Sequence, residues 1–403
     1  MHIKPLIQGV VARSAHPYGC EQAVLQQIQY VKQANSIKSG PKRVLILGAS
    51  SGFGLAARIA LTFGGAKADT IGVSFERAPN ETQTGSAGYY NNLFFKQYAE
   101  QEGRIAINLE GDVFSAEMRE QVIEAIETYF EGEVDLVIYS IASGMRCKPD
   151  GEFWRSAIKP IGEAVSGASI MLDNDTWTDT TLEPATEEEI EGTLRVMGGD
   201  DWENWIDTLI NAESLAEGCK TIAFSYMGPE VTHPIYLDGT LGRAKIDLHQ
   251  TSHSLNLKLA NFDGGAYAVV CKALVTKASV FIPGLSPYLI ALYQVMKSKG
   301  THEGCIEQMQ RLFSDKLYGR SRIPLDSERL IRMDDWEMNP DTQAKVAECL
   351  RQMNADNFQQ LGDYSGFKQE FMQLNGFGFE SIDYSQSVDM HKFINKKCYQ
   401  KLC

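Results

Sequence analysis

The sequence predicts an α/β fold: a doubly wound parallel sheet with an insertion and a helical C-terminal extension. Three observations carry this. Short apolar runs alternate with longer amphipathic runs across residues 43–143. The short runs are too apolar to have one wet face, which fits strands covered by helices on both sides. A glycine-rich turn, "GASSGFG" (48–54), follows the first short run and opens the first long one.

Taken in order, "RVLILG" (43–48) is a buried strand and "SGFGLAARIALTFGG" (51–65) a helix ending at its glycines. "DTIGVSFE" (69–76) is the second strand, "YNNLFFKQYAEQEG" (90–103) the second helix and "RIAINLEGD" (104–112) the third strand. "SAEMREQVIEAIETYF" (115–130) is a helix with Ser115 as N-cap, and "VDLVIYSIAS" (134–143) the fourth strand. Such strands are joined by right-handed crossovers.

Residues 145–200 break the rhythm. "DNDTWTDTTLEPATEEEIEG" (173–192) is polar, Thr-rich and acidic, and reads as an insertion with short strands of its own. The rhythm returns with helix "DWENWIDTLINA" (201–212), strand "KTIAFSYMG" (220–228), a helix to about residue 260 and strand "AYAVVCKALVT" (266–276). "ASVFIPGLSPYLIALYQVM" (278–296) is a buried loop and helix, because its prolines and glycine rule out a membrane span. Beyond 300 the chain reads as mostly helical, as in 302–318 and 341–353. No flexible linker is visible. The expectation is one large domain over 1–403: a first dinucleotide-binding half (40–145), an insertion (146–200), a catalytic and substrate half (201–300) and a helical extension (301–403).

The glycine loop carries the most chemistry. Gly48 permits the turn out of the strand, Gly52 lets backbone amides approach a pyrophosphate, and Gly54 lets the helix pack close to the sheet. The helix N-terminus offers free N–H groups to phosphates, and Ser50 and Ser51 add hydroxyls. The second strand ends in an acid, Glu76, 22 residues after Gly54. A carboxylate there accepts both ribose hydroxyls and repels a 2′-phosphate, so the expected cofactor is NADH/NAD, with Arg77 the one neighbour able to tolerate that phosphate. No G-K-[ST] is present, which argues against a P-loop nucleotidase. Asp112 ends the third strand and can accept from an adenine amino group, or can simply start a helix. The small residues of "YSIAS" (139–143) let a cofactor lie against the sheet edge. Together these make the sheet Rossmann-like.

At the end of strand 220–228, Tyr226 faces the same crevice. Ten residues later comes "IYLDGTLGRAK" (235–245), with Tyr236 and Lys245. On one helix they would point to opposite faces. Asp238–Gly239 is a turn signal and Gly242 a poor helix residue. Tyr236 therefore belongs to the loop and Lys245 to the early turns of the helix that follows. A lysine ammonium there lowers the cost of phenolate formation and can hydrogen-bond a nicotinamide ribose. The phenol donates to an oxygen that gains charge.

Composition narrows the classes. At 43% hydrophobic and 22% charged over 403 residues the chain is ordinarily globular. Its net charge of −14 disfavours general nucleic-acid binding. "MHIKPLIQGVV" reads as neither a secretion signal nor a transit peptide. The eight cysteines form no C-x-x-C pair and read as reduced cytoplasmic thiols. His249 and His253 have metal-compatible spacing but no H-E-x-x-H context, and read as polar helix positions. Arg146 and Lys148 are the candidates for a basic approach patch, or a solvated surface.

These residues resemble the FabV-type trans-2-enoyl reductases, which act on enoyl-acyl carrier protein or enoyl-CoA. The resemblance rests on "GASSGFG" (which includes Ala49), "VSFER", "YSIAS" and the Y-x8-K pair. It extends to "AHPYGCE", "VMGGDDWENWID", "SYMGPE", "LVTKAS" and "KGTHEGCIEQ". It runs nearly end to end. Ordinary short-chain dehydrogenases use Y-x3-K and another enoyl reductase type Y-x6-K, so the eight-residue spacer is specific. The resemblance implies a monomeric, cytoplasmic, NADH-preferring member of the short-chain-dehydrogenase relatives, serving fatty-acid elongation. By position it makes Tyr236 the proton donor, Lys245 a cofactor contact and Tyr226 the thioester contact. Glu76 selects NADH, and Phe75, Asp112, Val113, Ile141, Ala142, Leu274, Val275 and Thr276 line the cofactor. The helix of "FIPGLSPYLIALYQVM" covers the acyl chain. Phe53 departs from a tyrosine common in relatives, with packing as its expected task. Two alternatives stay open: a carbonyl reductase on 3-oxoacyl thioesters, and a non-catalytic NADH-binding regulator.

Overall fold

The computed structural model describes residues 1–394 together with Cys398 and Tyr399. Strands β1 (Ile7–Gln8) and β2 (Val11–Ala12) form a hairpin ahead of helix α1 (Pro17–Gln33). Then come β3 (Arg43–Leu47), α2 (Gly52–Phe63), β4 (Asp69–Ser74), α3 (Ala87–Gln101), β5 (Ala106–Glu110), α4 (Ala116–Phe130) and β6 (Val134–Tyr139). Ser115 caps α4 as its sequence suggests, accepting from Met118 N–H at 3.1 Å.

The rhythm breaks where expected. β7 (Met145–Cys147) and β8 (Phe153–Arg155) form one antiparallel hairpin, and β9 (Val165–Met171) and β10 (Thr176–Leu182) another. Helix α5 (Glu187–Met197) closes this stretch. Its start carries a capping box, Thr186 with Glu189, inside the acidic run that reads from sequence as an insertion with short strands of its own. Helix α6 (Asp200–Asn211), β11 (Leu215–Ser225), α7 (Thr240–Leu259) and β12 (Gly265–Val270) restore the alternation.

The C-terminal part is α8 (Leu285–Ser298), α9 (Cys305–Arg311), β13 (Ile331–Arg332), α10 (Pro340–Gln352), α11 (Phe358–Leu361) and α12 (Tyr364–Gln373). After Arg311 the helix widens to π geometry over Leu312–Leu317. Strand β13 adds a sheet element to a stretch expected to be mostly helical. At two residues it has no periodicity to read.

Seven strands make one sheet in the order β13-β12-β11-β6-β3-β4-β5, every pair parallel. The order reverses between β3 and β6, and ligands of open α/β sheets bind at the carboxyl ends of the strands there. Alternation along the strands feeds two cores. Val44 and Ile46 pack with α1, α2 and α9, while Leu45 and Leu47 pack with α4, α6 and α7. Arg58 of α2 is fully buried and donates to Thr70 Oγ1 (2.9 Å), Asn108 Oδ1 (2.6 Å) and the Ile107 carbonyl (2.8 Å). It stacks on Phe95 at 4.2 Å, tying α2 and α3 to β4 and β5.

One strand is shorter than its apolar run suggests. The run 266–276 leaves the sheet after Val270. Beyond it, side chains take the backbone amides that a strand would pair: Lys272 N–H goes to Gln308 (3.1 Å), Ala273 N–H to Glu337 (2.8 Å) and Val275 N–H to Tyr293 (3.0 Å). Among the described residues, no helix is long and apolar enough to cross a membrane.

Candidate active site

A cavity of about 900 Å³ opens at the carboxyl ends of β3, β4, β6, β11 and β12. Its floor is the glycine loop. Gly48 has φ +90°, and a Cβ there would lie 2.1 Å from the Ser140 carbonyl, so only glycine fits. The loop is pinned by Gly48 and Ala49 N–H groups, both donating to Val73 O at 2.9 and 3.0 Å. At Gly52, φ is +55°, and a Cβ there would find Thr276 Cγ2 nearest, at 4.0 Å, so open space lies before the amides. No side chain caps α2 and no acid stands in its first turn. Its free N–H groups and positive dipole end suit a pyrophosphate. Gly54 would meet Gly48 O at 1.9 Å if it carried a Cβ, which explains the close helix.

At the edge of the cavity, Glu76 is already oriented. Ser50 Oγ donates to its Oε1 at 2.6 Å, and Ser86 Oγ donates to Oε2. An ionised carboxylate keeps further lone pairs for two ribose hydroxyls. The residues present therefore fit a dinucleotide: an uncapped helix start for the phosphates and a held acid for the ribose. Phe75 stands 81% exposed beside it, an unfilled apolar surface at the cavity wall.

Ser50, Ser51, Gly52, Phe53, Phe75, Glu76, Asp112, Val113, Ile141, Ala142, Leu274 and Thr276 all line the cavity, with Gly48. Ala49, Gly54 and Val275 do not. Ala49 is fully buried under the loop, Gly54 packs on Gly48, and Val275 is buried with its amide on Tyr293. Asp112 lies two residues past β5, and its Oδ1 accepts from Phe114 N–H at 3.0 Å. Phe53 packs on Phe224 with ring centroids 5.5 Å apart, the packing task expected of it.

The opposite wall holds the tyrosines and the lysine. Tyr236 sits on the loop ahead of α7, and its carbonyl accepts from Gly239 (3.1 Å) and Gly242 (2.8 Å) N–H. Gly242 has no room for a Cβ, which would lie 1.9 Å from Leu237 O. Lys245 is the sixth residue of α7 and is buried. Both face the cavity, as does Tyr226 just past β11. Tyr226 and Tyr236 meet edge to face, centroids 4.9 Å apart at 80°.

The electrostatics differ from the expected pairing. Lys245 Nζ donates to the Phe224 carbonyl at 3.2 Å. Burial pulls its ammonium down to about 8. Burial pushes the Tyr236 phenol above its ordinary value, so it keeps its proton rather than forming phenolate. Tyr226 is pushed well above its ordinary range by burial and by the charge of Glu337. His249 Nε2 pairs with Ser225 Oγ at 2.7 Å, and its ring is pulled down to about 4 by burial and by Lys245. His253 instead meets Glu328 O at 3.0 Å, so the two histidines of the i, i+4 pair have separate partners.

Among the residues at the site that escape sequence reading are Ser86, Cys271, Lys272 and Glu337. Cys271 and Lys272 line the cavity because the chain leaves the sheet at Val270, which the apolar run conceals. Ser86 and Glu337 reach the site through tertiary contacts with no local signal. Arg146 and Lys148 are occupied: Arg146 pairs with Asp200 at 2.6 Å and Lys148 with Glu152 at 3.3 Å.

Comparison with known proteins agrees with this geometry. Residues 83–318 match the trans-2-enoyl-CoA reductase catalytic region. Residues 2–81 match the NAD(P)H binding domain of trans-2-enoyl-CoA reductase. Residues 325–388 match an enoyl reductase FAD binding domain. Those residues carry α10, α11 and α12, whereas the described residues lining the cavity run no further than Leu285. The NADH-dependent enoyl-acyl-carrier-protein reductase of Vibrio cholerae is 90% identical, covering 98% of this chain and 100% of that one. The NADH-dependent trans-2-enoyl-CoA reductase of Clostridium beijerinckii is 48% identical over 97% and 98% of the two chains. The crystal structure of Clostridium acetobutulicum trans-2-enoyl-CoA reductase with NADH superposes with a TM-score of 0.96 at 43% identity, covering 98% and 99%. By its matched regions and its relatives, this chain belongs to the NADH-dependent trans-2-enoyl-CoA and enoyl-acyl-carrier-protein reductase family.

Proposed function

We propose that this chain reduces the 2,3 double bond of trans-2-enoyl thioesters to the saturated acyl thioester, as a monomer in the cytoplasm, in fatty-acid elongation. The carrying observation is Tyr236 on its loop and Lys245 on its helix, facing one cavity with the dinucleotide loop. When bound, NADH supplies a hydride to Cβ of the substrate. Glu76 holds the adenosine ribose, and the start of α2 holds the phosphates. Lys245 keeps a positive charge near the nicotinamide ribose. Charge then gathers on the thioester oxygen. Tyr236, its proton retained by burial until then, hydrogen-bonds that oxygen and passes the same proton to Cα, and the phenolate left behind faces the Lys245 side of the cavity and is reprotonated from solvent. Tyr226 fixes the Tyr236 ring edge-on and borders the thioester. Phe281 and Ile282, in the loop ahead of α8, and Leu285 at its start supply apolar wall for the acyl chain.

In this proposal residues 40–145 and 201–300 are two halves of one domain (1–403) that close on the cavity, with 146–200 inserted and 301–403 appended. The carrier is coenzyme A or acyl carrier protein, and the name of the 90% identical relative favours the protein carrier. Following NADH oxidation by absorbance with crotonyl-CoA, dodecenoyl-CoA and the matching carrier-protein substrates, with NADPH in parallel, ranks the carriers. No turnover of any enoyl thioester ends the proposal, and activity on 3-oxoacyl thioesters alone would favour the carbonyl reductase. Tyr236→Phe should lower kcat by about 10²–10⁴-fold with NADH affinity near normal. A fully active Tyr236→Phe removes the proton-donor assignment.

A further inference from the structure

Behind Tyr226 lies a carboxylate that the reaction as described does not use. Glu337 belongs to the loop between β13 and α10 and is fully buried. Its Oε1 accepts from Tyr226 Oη at 3.1 Å and from Tyr288 Oη at 2.6 Å. Its Oε2 accepts from Ala273 N–H at 2.8 Å. Tyr288 Oη in turn accepts from Gln343 Nε2 at 3.1 Å, and the same amide donates to the Glu337 carbonyl at 2.8 Å. Burial raises the Glu337 carboxyl above its ordinary value, and the charge of Lys272 with the bonds from Tyr288 and Ala273 opposes the rise. Lys272 is itself buried and donates to Ala273 O at 2.9 Å.

A buried carboxylate is costly unless its lone pairs are filled. Here they are filled by groups from three separate parts of the chain: β11's end, the segment after β12, and α8. One of those groups is the tyrosine at the substrate wall. The Tyr226 hydroxyl donates to Glu337, so its single phenol proton is engaged behind the substrate wall rather than offered to the cavity.

We infer that Glu337 is the positioning residue for Tyr226: its carboxylate anchors the hydroxyl and turns the phenol proton away from the cavity. Tyr236, stacked edge-on against the anchored ring, is thereby left as the phenol that donates. The anchoring matters because a displacement of about 1 Å at a reacting group costs on the order of 10²-fold in rate. In Glu337→Gln the side-chain amide would have to turn its oxygen to Ala273 N–H and its NH₂ to the two phenols. That frees the Tyr226 proton and unpins the ring.

This rests on the proposed roles of Tyr226 and Tyr236, and a double-mutant cycle separates the two levels. Glu337→Gln should lower kcat by about 10–100-fold with the NADH KM unchanged. In a Tyr226→Phe background the same change should cost nothing further, because no hydroxyl remains to position. Multiplying losses in the double variant, or a fully active Glu337→Gln, would overturn the inference while leaving the enoyl reductase reading intact. A fully active Tyr226→Phe overturns it too, and a slow Tyr236→Phe in the same series shows that the reaction assignment survives. If Glu337→Gln does not fold, Tyr288→Phe carries the cycle. It loosens the same oxygen, so it should slow kcat about 2–10-fold, an effect that must vanish with Tyr226→Phe.

Discussion

Lys245 places the cation of the site within reach of ordinary pH. Burial lowers its ammonium to about 8, so it is charged below that pH and neutral above it. As pH rises through about 8, the free enzyme should lose the charge that faces the cavity, and kcat/KM for NADH should fall. A profile measured from about pH 6 to about pH 10 tests this, and a flat line through about pH 9 would contradict it. Much of the site is legible at this scale because its chemistry is written locally. Gly48, Glu76, Tyr236 and Lys245 stand in stretches whose turn residues and spacing point to their use. Glu337 is not legible. It sits in "DDWEMNP", an acidic surface-like run, and only the fold brings it to Tyr226, 111 positions away.

The elements that carry the site end where their partners run out. The loop before α7 is the clearest case, since Gly242 lets the Leu237 carbonyl lie against the helix and so sets where Tyr236 stands. Gly242→Ala should put a methyl 1.9 Å from that carbonyl. The expected outcome is a loss of about 1–3 kcal/mol in stability and a kcat deficit, with chemical denaturation and steady-state rates as the measurements. Wild-type kcat in that variant would mean that the loop adapts. The strands of the first half are legible because each apolar run is bounded by turn residues. The run at 266–276 reads too long, because Ala, Leu and Val look alike whether a sheet or side chains receive their amides. The N-terminal helix α1 is not legible, since its buried face of Val24, Ile28 and Val31 is diluted by glutamines.

For the whole molecule, the cavity is built from both halves of the sheet, so a ligand that fills it should hold the fold together. NADH at about 100 times its Kd should add about 2.7 kcal/mol to unfolding free energy. FAD should leave thermal unfolding unchanged, despite the match of residues 325–388 to a flavin-domain family. A FAD-induced shift equal to that of NADH would reverse this expectation. The architecture is legible as a class because alternation of apolar and amphipathic runs reports a parallel sheet directly. The way residues 301–394 dock is not, because their contacts are mostly with α2, α8 and α1 rather than along their own sequence.

The bond between Tyr226 and Glu337 also bears on synthesis. A growing chain exposes its glycine loop, Tyr226, Tyr236 and Lys245 long before residue 337 leaves the ribosome. Until then the substrate-wall tyrosine has no anchor, and Ala273 has no acceptor for its amide. Truncated products ending before Asp334 would lack a finished substrate wall, so completion of that wall waits on a residue made late in translation.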